Sequence, residues 1–169
     1  PEFFSNGSKL LLGRTEQGKL TPAAIREIAL KRKDIHYPKP RVVTLTQATE
    51  VGTVYQPAEL RAISDTCKDL GLHLHMDGAR FANAAAFLGG SAEAAARSAS
   101  GPVDSLAFGF IKNGGMGAEA VVLFDPERAM EVRYRRKRAG HLQCKGRYLA
   151  AQILAMLGGD LWLANARAA

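Results

Sequence analysis

Apolar residues recur every three to four positions in several segments of the chain, a spacing that predicts amphipathic helices. Thr21-Pro22 fits an N-cap followed by proline at the first helical position, and a glycine at position 71 fits the end of the helix that Pro57 opens. The predicted helices cover residues 22–34, 57–70, 80–88, 91–98 and 142–157, with a further helix that begins at Asp125-Pro126 and passes into a basic segment. Trp162 is assigned to a last helix with little core of its own.

Short β-branched or alternating segments between these helices predict strands. They cover residues 41–46, 72–77, 103–108 and 120–124. In the second, apolar residues alternate with His73, His75 and Asp77, so a strand places these three side chains on one face. Because helices and strands alternate, the pattern indicates an α/β fold with mainly parallel strands.

The composition of the 169 residues, 47% of them hydrophobic, is that of one globular domain. No stretch approaches the roughly 20 consecutive apolar residues that cross a bilayer, which predicts no membrane partner. The two cysteines, Cys67 and Cys144, are far apart in the sequence, so neither a disulfide framework nor a metal site is expected. A reducing cytoplasm is therefore the predicted location. The first residue is not Met, and we expect the chain to be cut from a longer parent.

The net charge of +7 comes mainly from one segment. Residues 131–147 contain seven basic residues and one acid, and the rest of the chain is nearly neutral. Because of this segment, a basic nucleic-acid-binding module is the non-enzyme alternative. The chain contains no recognised nucleic-acid-binding motif, so we expect no nucleic acid partner. The glycine-rich segment around Lys112 fits neither common nucleotide-binding pattern.

The side chains best suited to catalysis or ligand binding lie at the ends of two of the predicted strands, where open α/β sheets bind ligands. Asp77 and Arg80 follow one strand and Lys112 the other. A neutral lysine amine forms Schiff bases, a carboxylate such as Asp77 keeps a pyridine nitrogen protonated, and an arginine fork holds a carboxylate. Each residue also has an ordinary alternative, namely a solvated lysine, a helix-capping aspartate and a surface ion pair.

Three blocks resemble the threonine aldolase and β-eliminating lyase family, which uses pyridoxal 5'-phosphate (PLP). His73–Ala84, with Asp77-Gly78-Ala79-Arg80 inside it, is similar to the family's strand-and-turn motif, and Asp104–Ala120 is similar to its lysine motif. Thr46–Tyr55 looks like a third block, which lines the substrate pocket in family members. The blocks occur in the family's order, and weaker similarity extends over essentially the whole chain.

This resemblance implies the large domain of PLP fold type I, a three-layer sandwich with a mainly parallel sheet, of which the chain holds an incomplete part. Residues 1–140 would belong to that domain, and residues 141–169 would form a linking helix and the start of a truncated small domain. The family's phosphate-binding turn and ring-stacking histidine would lie upstream of residue 1. The chain by itself is therefore also considered as an inactive fragment.

The resemblance also implies roles for individual residues. Lys112 would bind PLP covalently, Asp77 would contact its pyridine nitrogen, and Arg80 would hold the substrate carboxylate. The remaining candidates are His75 beside Asp77 or the ring, with a core histidine as the alternative, and Gln47 and Thr49 in the substrate pocket. Near the phosphate they are Gly109 and Arg138, or Arg135 or Arg136 in its place, with basic residues that only face water at a helix end as the alternative. Gly109 stands where related folds often have serine, so any phosphate contact there would use the main chain.

The implied reaction is cleavage of a small β-hydroxy-α-amino acid, such as threonine, between Cα and Cβ to give glycine and an aldehyde. A β-eliminating lyase of the same fold is the alternative that the three blocks leave open. Family members are dimers or tetramers, so the parent is expected to be a homodimer or homotetramer.

Overall fold

The computed structural model describes residues 2–169, which form a four-stranded sheet, a small hairpin and seven α-helices. In chain order, the strands and α-helices are β1 (Thr15–Glu16), β2 (Lys19–Leu20), α1 (Pro22–Leu30), β3 (Val42–Thr46), α2 (Pro57–Asp69), β4 (His73–Gly78), α3 (Phe81–Leu88), α4 (Ala92–Ser100), β5 (Ser105–Gly109), β6 (Glu119–Leu123), α5 (Ala129–Arg138), α6 (Arg147–Leu157) and α7 (Leu161–Ala168). Short 3₁₀ turns cover Ile111–Asn113, Pro126–Arg128 and Gly158–Asp160.

The sheet has the order β3-β4-β5-β6. The first three strands are parallel, with Thr46 opposite Asp77 and Gly78 opposite Phe108, and β6 runs antiparallel to β5. The mainly parallel α/β architecture is thus confirmed. Because β4 and β5 are parallel neighbours, the segments that follow them leave the sheet at the same edge.

The alternation predicted along β4 is present. Leu74 and Met76 are buried in the core, whereas His75 and Asp77 are half-buried on the opposite face and His73 is exposed. One face of this strand therefore packs with the helices, and the other carries the polar side chains.

Two helices differ from their predicted boundaries. The hydroxyl of Thr21 caps α1 by accepting a hydrogen bond from the Ala24 amide at 3.2 Å, as predicted, but α1 ends at Leu30. The helix expected from residue 142 begins only at Arg147. Turns precede it, including Gly140 with a positive φ of 76°.

The expectation that the last helix has little core is wrong. Trp162 is only 3% exposed, and its ring stacks on Phe81 of α3 with the centroids 6.4 Å apart. It also meets the edge of Phe108 at 5.6 Å. The sequence could not show these partners because they lie more than 50 positions away. The predicted boundary at residue 140 stays a prediction, but α7 packs into the same core as the sheet.

The segment Arg147–Ala168 has the length and composition of a membrane-spanning helix, although no run of consecutive apolar residues predicts one. In the structure it is broken at Gly159 and Asp160, both with positive φ. Trp162, Leu163 and Ala166, beyond this break, are buried in the protein core. Packing inside the protein thus explains much of the apolar character of α7.

Glycines allow the ends of β4 and β5 to lie unusually close together. A Cβ on Gly109 would lie 2.8 Å from the Cα and 2.9 Å from the carbonyl oxygen of Ala79. A Cβ on Gly78 would lie 2.7 Å from the carbonyl oxygen of Ala107. These atoms belong to the backbone and cannot rotate away, so any side chain at either position would push the strand ends apart.

We predict that Gly109→Ala lowers the free energy of unfolding by about 1–3 kcal/mol, because the added methyl group overpacks a backbone contact. Urea unfolding of the full-length protein that contains this chain measures the effect. Gly117→Ala is the matched control, since a Cβ there meets nothing within 4 Å. Equal unfolding midpoints for the two variants would contradict the close approach.

Candidate active site at the strand ends

Three of the predicted site residues lie at the edge where β4 and β5 end. Asp77 is the penultimate residue of β4, Arg80 is the N-cap residue of α3, and Lys112 lies in the 3₁₀ turn that follows β5. The contact between Gly109 and Ala79 holds these two segments against each other. We refer to Asp77, Arg80, Lys112 and Glu50, which joins them below, as the strand-end cluster.

Within residues 2–169, only one of the two carboxylate oxygens of Asp77 accepts a hydrogen bond. Its Oδ1 accepts a hydrogen bond from the Ala79 amide at 3.0 Å, which closes the turn after β4. Its Oδ2 accepts none from the described residues, and the side chain is half-buried. The turn-closing role and a role toward a ligand are therefore compatible, because they use different oxygens.

The turn that carries Lys112 is fixed from both sides. Asn113 is buried and donates from its Nδ2 to the carbonyl oxygen of Trp162 at 2.8 Å, and Asn165 donates to the carbonyl oxygen of Asn113 at 2.9 Å. Gly114 ends the turn in the left-handed region with φ 103°. The Lys112 side chain is exposed, and its amine makes no hydrogen bond or ion pair with the described residues. The backbone is therefore held while the amine remains available.

Sequence reasoning gave Asn113 and Asn165 no role, although Asn113 lies inside the lysine motif. A buried amide next to the proposed reactive lysine is a signal that could have been used. The partner, Trp162 of α7, was not predictable from local spacing.

Glu50 was also missed as an individual residue. Its Oε1 accepts a hydrogen bond from Arg80 Nη1 at 2.9 Å. This hydrogen bond and the positive charges of Arg80 and Lys112 hold the pKa of Glu50 below its ordinary value. Glu50 is thus ionised at neutral pH, between two basic residues of the strand-end cluster.

His75 lies on the Asp77 face, as predicted. Burial lowers the pKa of its imidazole below the ordinary value, although the nearby Asp77 carboxylate acts in the opposite direction. Its ring makes no hydrogen bond to Asp77. We therefore expect a neutral imidazole at pH 7, and a cofactor contact by His75 stays a prediction.

Gln47 is not placed with the strand-end cluster as a free polar group. It is fully buried, its Oε1 accepts from the Tyr55 amide at 2.9 Å, and its Nε2 donates to the carbonyl oxygens of Tyr55 and Ala99. These three hydrogen bonds satisfy the side chain within the protein. These bonds give Gln47 a role in holding its loop, and a substrate contact by Gln47 stays a prediction.

Thr49 also has a structural role in its loop. It is buried, and its hydroxyl contacts the Thr53 hydroxyl at 2.7 Å and accepts from the Thr53 amide at 3.1 Å. Both contacts close the loop that carries Glu50. A substrate contact by Thr49 stays a prediction, and Glu50 is the residue of this loop that contacts Arg80.

The two expected phosphate contacts lie on different elements, Gly109 at the end of β5 and Arg138 at the end of α5. Gly109 is buried against Ala79, so its lack of a side chain is explained by packing. Arg138 is exposed at the end of α5, a helix with no buried residues, and shares a surface groove with Tyr134 and Glu131 of the same helix. Helix α5 packs on the preceding 3₁₀ turn, and a phosphate contact by Arg138 stays a prediction.

The strand-end cluster lies on an accessible surface. A cavity of about 410 Å³ lies elsewhere, between the segment around Lys9, helix α1 and strand β3. Arg80 is 35% exposed and Glu50 73% exposed. The cluster is therefore open to a ligand from solvent.

Comparison with known proteins identifies the family to which the chain belongs. The family model for beta-eliminating lyases matches residues 1–169. The chain belongs to the beta-eliminating lyase family. It is 65% identical over 163 residues to the low specificity L-threonine aldolase of Pseudomonas aeruginosa, covering 96% of this chain and 46% of that protein. It is 59% identical to the low specificity L-threonine aldolase of Pseudomonas sp. strain NCIMB 10558, covering 98% of this chain and 47% of that protein.

A solved structure extends the comparison to the fold. The threonine aldolase of Leishmania major superposes with a TM-score of 0.85 at 30% identity, over 96% of this chain and 47% of that chain. This match confirms the predicted fold type I architecture. The chain spans slightly less than half the length of these relatives.

We predict that Gln47→Ala lowers the free energy of unfolding by about 2–5 kcal/mol, because it opens a cavity and leaves buried backbone groups of Tyr55 and Ala99 unpaired. Chemical unfolding of the full-length protein measures this loss. Gln143→Ala, at an exposed position, is the control. Unchanged stability together with weakened substrate binding would contradict this structural role and would instead support a substrate contact by Gln47.

Proposed function

We propose that the protein containing this chain is a PLP-dependent aldolase that cleaves a threonine-like β-hydroxy-α-amino acid to glycine and an aldehyde. The observation that supports it most is that, within residues 2–169, neither the Lys112 amine nor Asp77 Oδ2 has a hydrogen-bond partner, while Asp77 lies at the end of β4 and Lys112 just after its neighbour β5. The names of the two Pseudomonas relatives favour the aldolase reaction.

The residues present fit PLP at its reactive end. Among the residues that the structure describes, none occupies the Lys112 amine that would form the covalent bond or the Asp77 oxygen that would accept from a protonated pyridine nitrogen, and Arg80 is accessible to a carboxylate. For the phosphate, none of the described residues forms an evident cradle. The fit therefore concerns the carbonyl and ring, and phosphate contacts would come from elsewhere in the assembled protein.

PLP, when bound, supplies an electron sink for the electron pair left at Cα. Lys112 contributes a nucleophilic amine, which must be unprotonated to react. The carboxylate of Asp77 favours the protonated pyridine nitrogen, and its own bond to the Ala79 amide fixes its direction. The Arg80 guanidinium offers two parallel donors to the α-carboxylate of the amino acid.

Holding that carboxylate sets which bond at Cα is broken. A bond breaks readily when it stands perpendicular to the cofactor plane, and rotation about Cα is limited once the carboxylate is bound. In this proposal Arg80 therefore selects the Cα–Cβ bond, while Lys112 and Asp77 prepare the electron sink.

A β-eliminating lyase is the second candidate, because the matching family carries that description. The same amine, carboxylate and guanidinium would serve both reactions. Product analysis separates them, since the aldolase releases glycine and an aldehyde, whereas the lyase releases ammonia and a keto acid. A cytoplasmic location and a homodimeric or homotetrameric assembly, without nucleic acid or membrane partners, belong to the same proposal.

We predict that the full-length protein loaded with PLP shows a visible absorbance band that Lys112→Ala abolishes. Lys112→Arg should abolish it as well, because guanidinium stays protonated at working pH. Lys68→Ala, at an exposed lysine of α2, should keep the band and serves as the control. The assignment fails if the wild-type protein shows no band or if Lys112→Ala retains it.

We predict that Asp77→Asn keeps the band but lowers kcat by about 10²- to 10⁴-fold. Replacing an orienting carboxylate by its amide in other enzymes causes losses of this size. The amide oxygen of asparagine can still accept from the Ala79 amide, so the fold should be retained. Steady-state release of glycine measures the effect, with Asp65→Asn on α2 as the exposed control. Turnover within a few-fold of wild type would remove Asp77 from its role.

A further inference from the structure

The ion pair between Arg80 and Glu50 occupies the guanidinium that the proposed function assigns to the substrate. Arg80 Nη1 donates to Glu50 Oε1 at 2.9 Å, and this is the one hydrogen bond that Arg80 makes through its side chain within residues 2–169. A protein carboxylate thus stands where a substrate carboxylate would compete for the same donors.

The loop that carries Glu50 is held in place by its neighbours. The Thr49 amide donates to the carbonyl oxygen of Thr53 at 2.9 Å, and the Gly52 amide donates to the carbonyl oxygen of Thr49 at 3.0 Å. The Thr53 hydroxyl donates to the carbonyl oxygen of Gln17 in the β1–β2 turn at 2.7 Å. Its single proton is used there, so Thr49 donates in the hydroxyl pair. These hydrogen bonds therefore fix the backbone of the loop that carries Glu50.

The β1–β2 hairpin that supports this loop is itself anchored. Lys19 forms an ion pair with Glu59 of α2 at 2.7 Å, and the Leu20 amide donates to the Tyr55 hydroxyl at 2.6 Å. Gly18, with φ 78°, leaves no room for a Cβ because Val51 Cγ2 would lie 2.9 Å away. The position of Glu50 is thus determined by packing that does not depend on Arg80.

The contact itself is easily exchanged. It consists of one hydrogen bond through one oxygen, and the Glu50 side chain is 73% exposed, so its carboxylate is hydrated as soon as the bond breaks. Exposed ion pairs of this kind contribute little net free energy. A ligand carboxylate bound by two parallel hydrogen bonds has the better geometry.

We propose, on the basis of the proposed function, that Glu50 is the resting partner of Arg80 and is displaced by the α-carboxylate of the amino-acid substrate. It keeps the guanidinium beside Lys112 while the site is empty. Because it competes with the substrate, Glu50 also sets the apparent affinity for amino acids. Glu50 is a positioning residue in this role and takes no part in bond breaking.

The test is the dissociation constant of glycine, measured through the change in absorbance of the PLP-loaded full-length protein at constant pH and ionic strength. Glu50→Gln retains the size of the side chain and removes its charge. It should lower the dissociation constant about two- to fivefold, the range expected when one exposed ion pair no longer competes. Glu50→Ala should lower it as well. Glycinamide, which has no carboxylate, should show a smaller change or none.

Two controls separate displacement from other causes. Glu93→Gln removes a similarly exposed ion pair, with Arg97 on α4 at 2.7 Å, and should leave glycine binding unchanged. In an Arg80→Ala background, Glu50→Gln should no longer improve binding. An improvement that persists there would mean a general charge effect and would overturn the proposal.

An unchanged or raised dissociation constant in Glu50→Gln would overturn it too, because Glu50 would then not compete for Arg80. These outcomes differ from failure of the proposed function. In that case, the wild-type protein would show no visible band, and no change of absorbance with glycine.

Discussion

The close contact between the ends of β4 and β5 is the constraint on which the strand-end cluster depends. Gly78 and Gly109 let backbone meet backbone there, at distances that leave no room for a Cβ. The segments that carry Asp77 and Lys112 leave the sheet at the same edge because the two strands are parallel. The contact of Gly109 with Ala79 holds the segment that leads to Lys112 against the end of β4, next to Asp77.

Side chains from three further parts of the chain complete the arrangement. Asn113 and Asn165 attach the lysine turn to α7, whose Trp162 packs on Phe81 of α3. The loop that begins after β3 brings Glu50 to Arg80. The sheet, the last helix and the loop after β3 thus hold the backbone of the reactive residues. Within residues 2–169, the lysine amine and one aspartate oxygen have no hydrogen-bond partner.

Local sequence patterns predicted the parts of this structure that depend on local physics. Alternation along β4 gave the face of His75 and Asp77, and the Thr21-Pro22 signal gave the start of α1. The contacts of Gln47 and Trp162 were missed because their partners, Ala99 and Phe81, lie 52 and 81 positions away. Gln47 and Thr49 were assigned to the substrate because they lie in a family block, and burial shows a structural role that the sequence did not predict. Their substrate contacts stay predictions. Arg138 was chosen for its charge, and its role at the phosphate stays a prediction.

The central claim is that Lys112 is the residue that binds PLP. The most direct measurement is reduction of the PLP-loaded full-length protein with borohydride, followed by peptide mass spectrometry. The account predicts one stable pyridoxyl adduct, on the peptide that contains Lys112. An adduct on another lysine, or none after saturating PLP, would contradict it.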